Sequence, residues 1–239
     1  MQTKISKILL ILLFPLFCLG QNIQQKINRA DSLYRAKQYT QSYAIYQSLL
    51  AQNQYSPAML LKMAYIQEGL SHQGLCLYYL NLYQHASDDQ QTVTKMEELA
   101  NKHRLEGYQS SDRSRFIHFL QKNNLLITGG LCAIIFLFFS LLFFQKRKGK
   151  STLVAMLLLT FFSVLLFAVT NWGGKPSQII VSSGATYLMS GPSAGASVTA
   201  ILDEGHRLTV QGKKDVWLKI KWKDKDAYVK QGNVLPIKL

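Results

Sequence analysis

Residues able to catalyse, bind metals or cross-link the chain are scarce in this sequence. Its 239 residues include only 3 cysteines and 5 histidines, and 13 acidic side chains against 27 basic ones. The histidines do not recur with cysteines or carboxylates at a metal-ligand spacing. Phosphate-binding loops and dinucleotide fingerprints are absent as well. We therefore expect a protein that is not an enzyme and that holds no metal and no cofactor.

The three cysteines offer neither a disulfide nor a complete catalytic group. Cys18 lies in the N-terminal apolar segment and Cys132 in a later one, which leaves Cys76 alone. We expect no intramolecular disulfide outside the apolar segments. His72 precedes Cys76 by four residues, close enough on a helix for a base and a nucleophile. No third partner is evident, so an enzyme that uses Cys76 is the most distant functional alternative.

Charged residues are missing from two apolar runs, residues 125–144 and 152–170. As a helix, each run is about 30 Å long, which matches the hydrocarbon core of a bilayer. The sequence therefore predicts transmembrane helices over 124–144 and 152–172, joined by a turn over 145–151. Because the runs lack the ionisable residues that ion pathways and proton relays use, we do not expect a pump or a channel.

The distribution of positive charge predicts the orientation of this hairpin. Four cations lie in the turn 145–151, and the positive-inside rule places them in the cytoplasm. Both flanks then lie outside, although Arg113, Arg115 and Lys122 are cations on the outer side. The basic residues cluster around the apolar segments, and neither flank has a nucleic-acid motif. We expect no nucleic-acid partner.

Residues 1–20 read as a secretory signal peptide. Lys4 and Lys7 precede an apolar run, and small residues near position 20 favour cleavage near Gln21. An uncleaved signal anchor would give the same sidedness. The sequence thus predicts a two-pass protein of the bacterial inner (cytoplasmic) membrane with both large domains in the periplasm.

Residues 22–107 carry apolar stripes that predict amphipathic helices in pairs. The second pair begins at Ser56-Pro57, because serine favours the N-cap and proline the first helical position. A shift of 34 residues superposes small residues on small ones and bulky residues on bulky ones, as in Ala30 on Ala64, Ser42 on Cys76 and Tyr46 on Leu80. The stripes comprise Ile27, Ala30, Leu33 and Tyr34; Tyr39, Tyr43, Tyr46, Leu49 and Leu50; Leu60, Leu61, Ala64 and Tyr65; and Leu75, Cys76, Tyr79, Leu80 and Tyr83.

The 34-residue period is that of tetratricopeptide repeats, and the region resembles that family. The resemblance implies a concave surface that holds peptides or partner proteins. We expect the juxtamembrane linker 108–123 to follow a capping helix within 90–107. The stripe of that cap is Val93, Met96, Leu99, Ala100 and His103. We interpret the tyrosine-rich set as helix packing, with partner contact as the alternative: Tyr39, Tyr43, Tyr46, Tyr78, Tyr79 and Tyr83.

Residues 177–239 change to short alternating strands separated by turn residues, which predicts a small all-β barrel. In the segment 216–222 apolar residues alternate with other residues, which predicts an inward-facing set and an outward-facing set of side chains. Between Ala227 and Val229, which point inward, Tyr228 points outward and could share an exposed face with Trp217. The inward set is Val216, Leu218, Ile220 and Trp222, and the outward set is Trp217, Lys219 and Lys221.

The order of motifs in this region resembles the bacterial SH3-like domain. It includes Ser190-Gly191-Pro192, Asp203-Glu204-Gly205 and Trp217-Leu218-Lys219-Ile220. The resemblance implies a binding module for cell-wall peptides or proteins, with Trp217, Tyr228 and Tyr187 as candidate ligand or partner contacts. A structural role for Trp217 is the alternative. The lysines form either a solvated face or a surface attracted to the anionic outer leaflet.

The sequence therefore predicts a multidomain membrane protein. Its parts are a signal peptide, all-α tetratricopeptide-like helical hairpins, a two-helix transmembrane hairpin and a small all-β SH3-like barrel. That order resembles the BatE proteins of the Bat aerotolerance group. The resemblance implies a scaffold that binds partner membrane proteins of a Bat-type envelope complex, linked to stress or oxygen tolerance. The alternative is a cell-wall protein that binds or senses peptidoglycan peptides.

Overall fold

The computed structural model describes residues 23–109, 120, 123–149, 151–171 and 177–239. They fall into two compact units. The first combines residues 23–108 with residues 177–239, and the second comes from the segment between them. The predicted signal peptide 1–20 and most of the predicted linker 108–123 lie outside the described residues.

Five helices form the first part of the first unit. Helix α3 begins where the sequence predicts: the Ser56 side chain accepts a hydrogen bond of 3.2 Å from the Met59 backbone N–H, and Pro57 is the first helical residue. Such a cap satisfies one of the backbone donors that a helix start leaves open. The five helices are α1 (23–35), α2 (Tyr39–Leu50), α3 (Pro57–Gly69), α4 (Gln73–Ser87) and α5 (Gln90–His103).

The residues superposed by the 34-residue shift lie in the core of these helices. All six are buried, and the Ser42 hydroxyl donates to the Ala30 carbonyl at 2.8 Å. The prediction of a buried stripe in α3 is wrong for two residues, because Leu61 and Tyr65 are 44% and 56% exposed. Met63 and Gln67 take their places in the buried face. In α5 the stripe ends at Ala100, and His103, the last helical residue, is exposed.

Residues 177–239 form an antiparallel sheet of seven strands, which confirms an all-β region. Neighbouring strands follow the order β3-β2-β6-β5-β4-β1-β7. Leu218, Ile220, Ala227 and Val229 are buried as predicted, whereas Val216 is 52% exposed because it lies in the turn before β5. The strands are β1 (Gln178–Val181), β2 (Thr186–Met189), β3 (Val198–Leu202), β4 (Arg207–Lys214), β5 (Trp217–Trp222), β6 (Lys225–Lys230) and β7 (Val234–Pro236).

The second unit contains helices α6 (Asn124–Arg147) and α7 (Leu153–Asn171), which pack against each other. An 18-residue stretch of each has a mean hydropathy of 2.6, and both helices are long and apolar enough to cross a membrane. Phe138 and Phe162 stack between them at 5.6 Å. Helix α6 continues through Lys146 and Arg147, so the predicted turn 145–151 is partly helical. Hydroxyls in the apolar runs donate to carbonyls four residues earlier, as Ser140 does to Phe136 at 2.9 Å.

Candidate functional site

The helices and the sheet of the first unit meet at a junction that the sequence does not predict. Ile180 of β1 and Ile237 after β7 belong to the same apolar core as the buried residues of α2 to α5. The segments 22–107 and 177–239 were expected as separate domains. In the structure they share a core although α6 and α7 lie between them in the chain.

Arg207, the first residue of β4, is the centre of this junction. Its Nε and one terminal nitrogen donate to the Gly107 carbonyl at 2.9 and 2.7 Å, and the other donates to Asn81 Oδ1 at 3.0 Å. The guanidinium also lies 4.6 Å from the centre of the Tyr108 ring. Burial lowers the pKa of Arg207, but a guanidinium remains protonated in proteins. The cation is therefore held by three charge-assisted hydrogen bonds and one ring.

Neighbouring residues add hydrogen bonds across the junction. The Arg207 backbone N–H donates to the Glu106 carbonyl at 3.1 Å, and the Tyr108 hydroxyl donates to the Gly205 carbonyl at 2.7 Å. His206 Nδ1 lies 3.0 Å from the Glu106 backbone nitrogen. Since that N–H must donate, Nδ1 is unprotonated in this geometry. Burial lowers the pKa of His206, although the carboxylates of Glu106 and Asp203 act in the opposite direction.

Glycines allow the two backbones to approach. Gly107 and Gly205 have φ of +95° and +98°, where side chains are rarely tolerated. A Cβ on Gly107 would lie 1.9 Å from the Arg207 carbonyl oxygen, and one on Gly205 would lie 2.8 Å from Leu105 Cδ1. On α4, a Cβ on Gly74 would lie 3.0 Å from the Val181 carbonyl oxygen. At Gly107 the overlap is with backbone atoms, so a larger residue there would separate the helical segment from the sheet.

The junction also brings the two ends of the first unit together. Before α6, the Glu106 carbonyl accepts from Arg207 N–H; after α7, the Ser177 carbonyl accepts from Val210 N–H at 2.8 Å. Both contacts are on β4, three residues apart, which is about 10 Å along a strand. The chain therefore leaves the first unit and returns to it at neighbouring points.

A groove on the helices is the second candidate site. Its volume is about 420 Å³, and the exposed side chains of Leu61 and Tyr65 stand at its opening. Tyr34, Tyr39 and Tyr65 meet edge to face beside it, with ring centres 5.5 to 6.2 Å apart. Such rings offer a rigid apolar surface with polar edges. The groove is lined by Tyr34, Leu61, Lys62, Ala64, Tyr65, Glu68, Cys76, Leu80 and Lys95.

Polar residues fix the walls of the groove. Lys62 Nζ lies 2.7 Å from Asp31 Oδ1, and the Tyr46 hydroxyl donates to the same oxygen. Burial raises the pKa of Asp31, but these two hydrogen bonds outweigh it and hold the pKa below its usual value. At the other wall Lys95 pairs with Glu68 at 3.4 Å. The cations of the groove are thus already paired, which leaves its apolar surface for recognition.

The six residues of the tyrosine-rich set all pack on the helical core, and partner contact by any of them stays a prediction. Tyr46 and Tyr79 are buried, and Tyr79 shares a hydrogen bond of 2.8 Å with Tyr43, as expected for helix packing. Tyr39 is half-buried beside the groove. Tyr65 was not among the candidates for partner contact, because its spacing is that of a core residue; only its exposure in the fold distinguishes it.

The predicted contact residues of the sheet lie on one face. Trp217 is opposite Lys230, Tyr228 is opposite both Lys219 and Met189, and paired residues share a face. Trp217 and Tyr228 are half-buried, and Tyr187 on β2 is 51% exposed. Their role in binding stays a prediction.

Cys76 is not set up as a nucleophile. Burial raises the pKa of its thiol to about 12, so the thiolate is scarce at neutral pH. His72 Nδ1 instead lies 2.9 Å from Gln67 Oε1. Within the described part of the chain, no three or more His, Cys, Asp or Glu residues group as metal ligands.

Comparisons with known proteins return no match: no protein-family model, no curated protein and no solved structure is significantly similar to the chain.

Gly107→Ala is expected to open the junction. The positive φ alone costs about 1–3 kcal/mol for a residue with a side chain, and the new methyl would overlap the Arg207 carbonyl. We expect a clearly lower Tm for the full-length protein in detergent. Gly232→Ala is the matched control, because a Cβ there meets nothing within 4 Å. Equal Tm values for the two variants would contradict the role of Gly107 in the junction.

His206 should make the first unit sensitive to acid. Its folded-state pKa lies below the usual 6.5, so the unfolded chain binds the proton more tightly. Its contribution to stability is present above pH 6.5 and is lost as the pH falls below it. We expect the Tm of the wild type to fall more steeply between about pH 7 and pH 5 than that of His206→Gln. The exposed His103→Gln serves as control, and identical slopes for all three proteins would refute this role.

Proposed function

We propose that this chain is a non-enzymatic scaffold of the bacterial inner membrane that binds partner proteins on the periplasmic side. The observation that carries the proposal is the groove of about 420 Å³ with the exposed Leu61 and Tyr65 at its opening. A peptide or an exposed helix of a partner would bury these side chains, and aromatic anchors of this kind contribute strongly to protein interfaces.

The junction supports the two-pass orientation within this proposal. Residues 23–108 and 177–239 share one unit, so both flanks of the apolar helices belong on the same side of a membrane. An even number of crossings satisfies that requirement, and α6 and α7 supply two. The cations around Lys146 to Lys150 favour the cytoplasm for the turn between them.

The resemblances suggest what the partners are. If the helices are tetratricopeptide repeats and the sheet is an SH3-like domain, the order of parts is that of BatE proteins. The partners are then membrane proteins of a Bat-type complex linked to stress or oxygen tolerance. The rival function, binding of peptidoglycan peptides, is favoured by the common face of Trp217, Tyr228 and Tyr187.

Cysteine labelling in intact cells with a permeable outer membrane tests the orientation. In a variant without Cys18, Cys76 and Cys132, we expect a membrane-impermeant maleimide to label Gln54→Cys and Ser193→Cys. Ser151→Cys should react only after the inner membrane is opened. All three positions are exposed in the structure. Labelling of positions 54 and 193 from opposite sides would refute the two-pass orientation.

Capture of partners from mild detergent tests the groove. Tyr65→Ala removes an aromatic side chain from the opening, and a loss of about 2 kcal/mol, or roughly thirtyfold in affinity, is typical of such an anchor. Tyr55→Ala is the matched control: Tyr55 is 43% exposed and does not line the groove. We expect cross-linked membrane proteins, identified by mass spectrometry, to be lost only with Tyr65→Ala. Equal recovery with both variants would reject the groove as the binding site.

A further inference from the structure

The tip of the β4–β5 hairpin combines apolar and basic side chains in an exposed position. Strand β4 is the longest of the sheet, and its end extends beyond the buried core. The chain turns at Asp215, which has φ of +53°, and places Val216 in the turn with 52% of its surface exposed. The half-buried Trp217 follows directly. An aliphatic residue at a turn is unusual, since turns favour small polar residues.

Lysines surround these two residues. Lys214, Trp217 and Lys230 lie directly opposite one another on strands β4, β5 and β6. Gln231 N–H donates to the Val216 carbonyl at 2.8 Å and joins the end of β6 to the tip. We define the hairpin tip as residues 213–217 with Lys230. Lys214 and Lys230 therefore flank Trp217 on one face, and Lys213 lies beside them on the other face of β4.

The lysines of the tip differ from those further along β5 in their pairing within the described part of the chain. Further along β5, Lys219 pairs with Asp226 at 2.7 Å and Lys221 with Asp224 at 3.3 Å. Among the described residues no ion pair involves Lys213, Lys214 or Lys230; Asp215 is the nearest acidic residue in sequence. The tip thus retains positive charge that an anionic surface would complement.

The combination of residues favours a lipid surface over an acidic peptide. Tryptophan and lysine are the side chains that anchor proteins at the membrane–water boundary, where apolar groups enter the interface and ammonium groups meet phosphates. An acidic peptide would match the lysines but would leave Val216 exposed. The sheet also follows α7 closely in the chain, with five residues between α7 and Ser177.

We propose that the hairpin tip docks on anionic lipid headgroups of the bilayer that holds α6 and α7. Val216 and Trp217 enter the interface, and Lys213, Lys214 and Lys230 contact lipid phosphates. The proposal rests on the membrane anchoring proposed above.

Spin labelling of the full-length protein in vesicles tests this contact. The cysteine-free variant carries a label at Val216→Cys or, as control, at Asp224→Cys in the turn at the opposite end of β5. Both turns are exposed and flanked by lysines, and they are about 20 Å apart along the strand. In vesicles with one-third phosphatidylglycerol, we expect a several-fold higher ratio of oxygen to nickel-chelate collisions at 216 than at 224.

Two comparisons decide the result. Changing Lys213, Lys214 and Lys230 to Gln should reduce the docked population about fivefold for each lysine, and vesicles of phosphatidylcholine alone should behave like that variant. Water-like collision ratios at 216 in both lipids would overturn the proposal. A label shielded from both oxygen and nickel would indicate contact with protein and would overturn it as well. Flotation of the protein with the vesicles reports separately whether α6 and α7 anchor it in the membrane. Failure of the β4–β5 hairpin tip to dock is therefore distinguishable from failure of this anchor.

Discussion

A guanidinium that is largely withdrawn from water loses hydration, and this loss is offset where its N–H donors find acceptors. Arg207 finds them on Asn81 and Gly107, which lie 126 and 100 residues earlier in the chain. Helix α4, the end of the helical segment and the start of β4 must therefore be in place together. The shared core around Ile180, the close approach at Gly74 and the two neighbouring chain ends on β4 all depend on that arrangement.

The junction changes how the apolar helices are best understood. Without it, the helical segment and the sheet would be two modules on separate tethers, each free to turn. With it, α6 and α7 are an insertion in one folded unit, and their two connections begin about 10 Å apart. The groove and the hairpin tip belong to the same compact unit.

Features that depend on residues close in sequence could be predicted. The Ser56 cap, the buried positions of the 34-residue period and the apolar runs of α6 and α7 all follow from local spacing. The junction could not, because Gly107 and Gly205 read as ordinary loop glycines until Arg207 lies against one of them. Periodicity also placed Tyr65 in the core, since it shows which residues share a helix face but not where the neighbouring helix ends. The prediction that Val216 points inward was wrong for a related reason. The alternating pattern in the sequence continues past the last residue that is paired in the sheet.

The long separation between Asn81 and Arg207 has a consequence for synthesis. A ribosome adding about 5–20 residues per second needs roughly 6 to 25 s to pass from one to the other. During that interval both apolar helices are made, while α4 presents an open surface around Gly74 and Leu77 that nothing in the nascent chain can yet cover. The helical segment thus emerges from the ribosome well before the residues that complete its core. Its completion requires that residues 177–239 have been made and have folded against it.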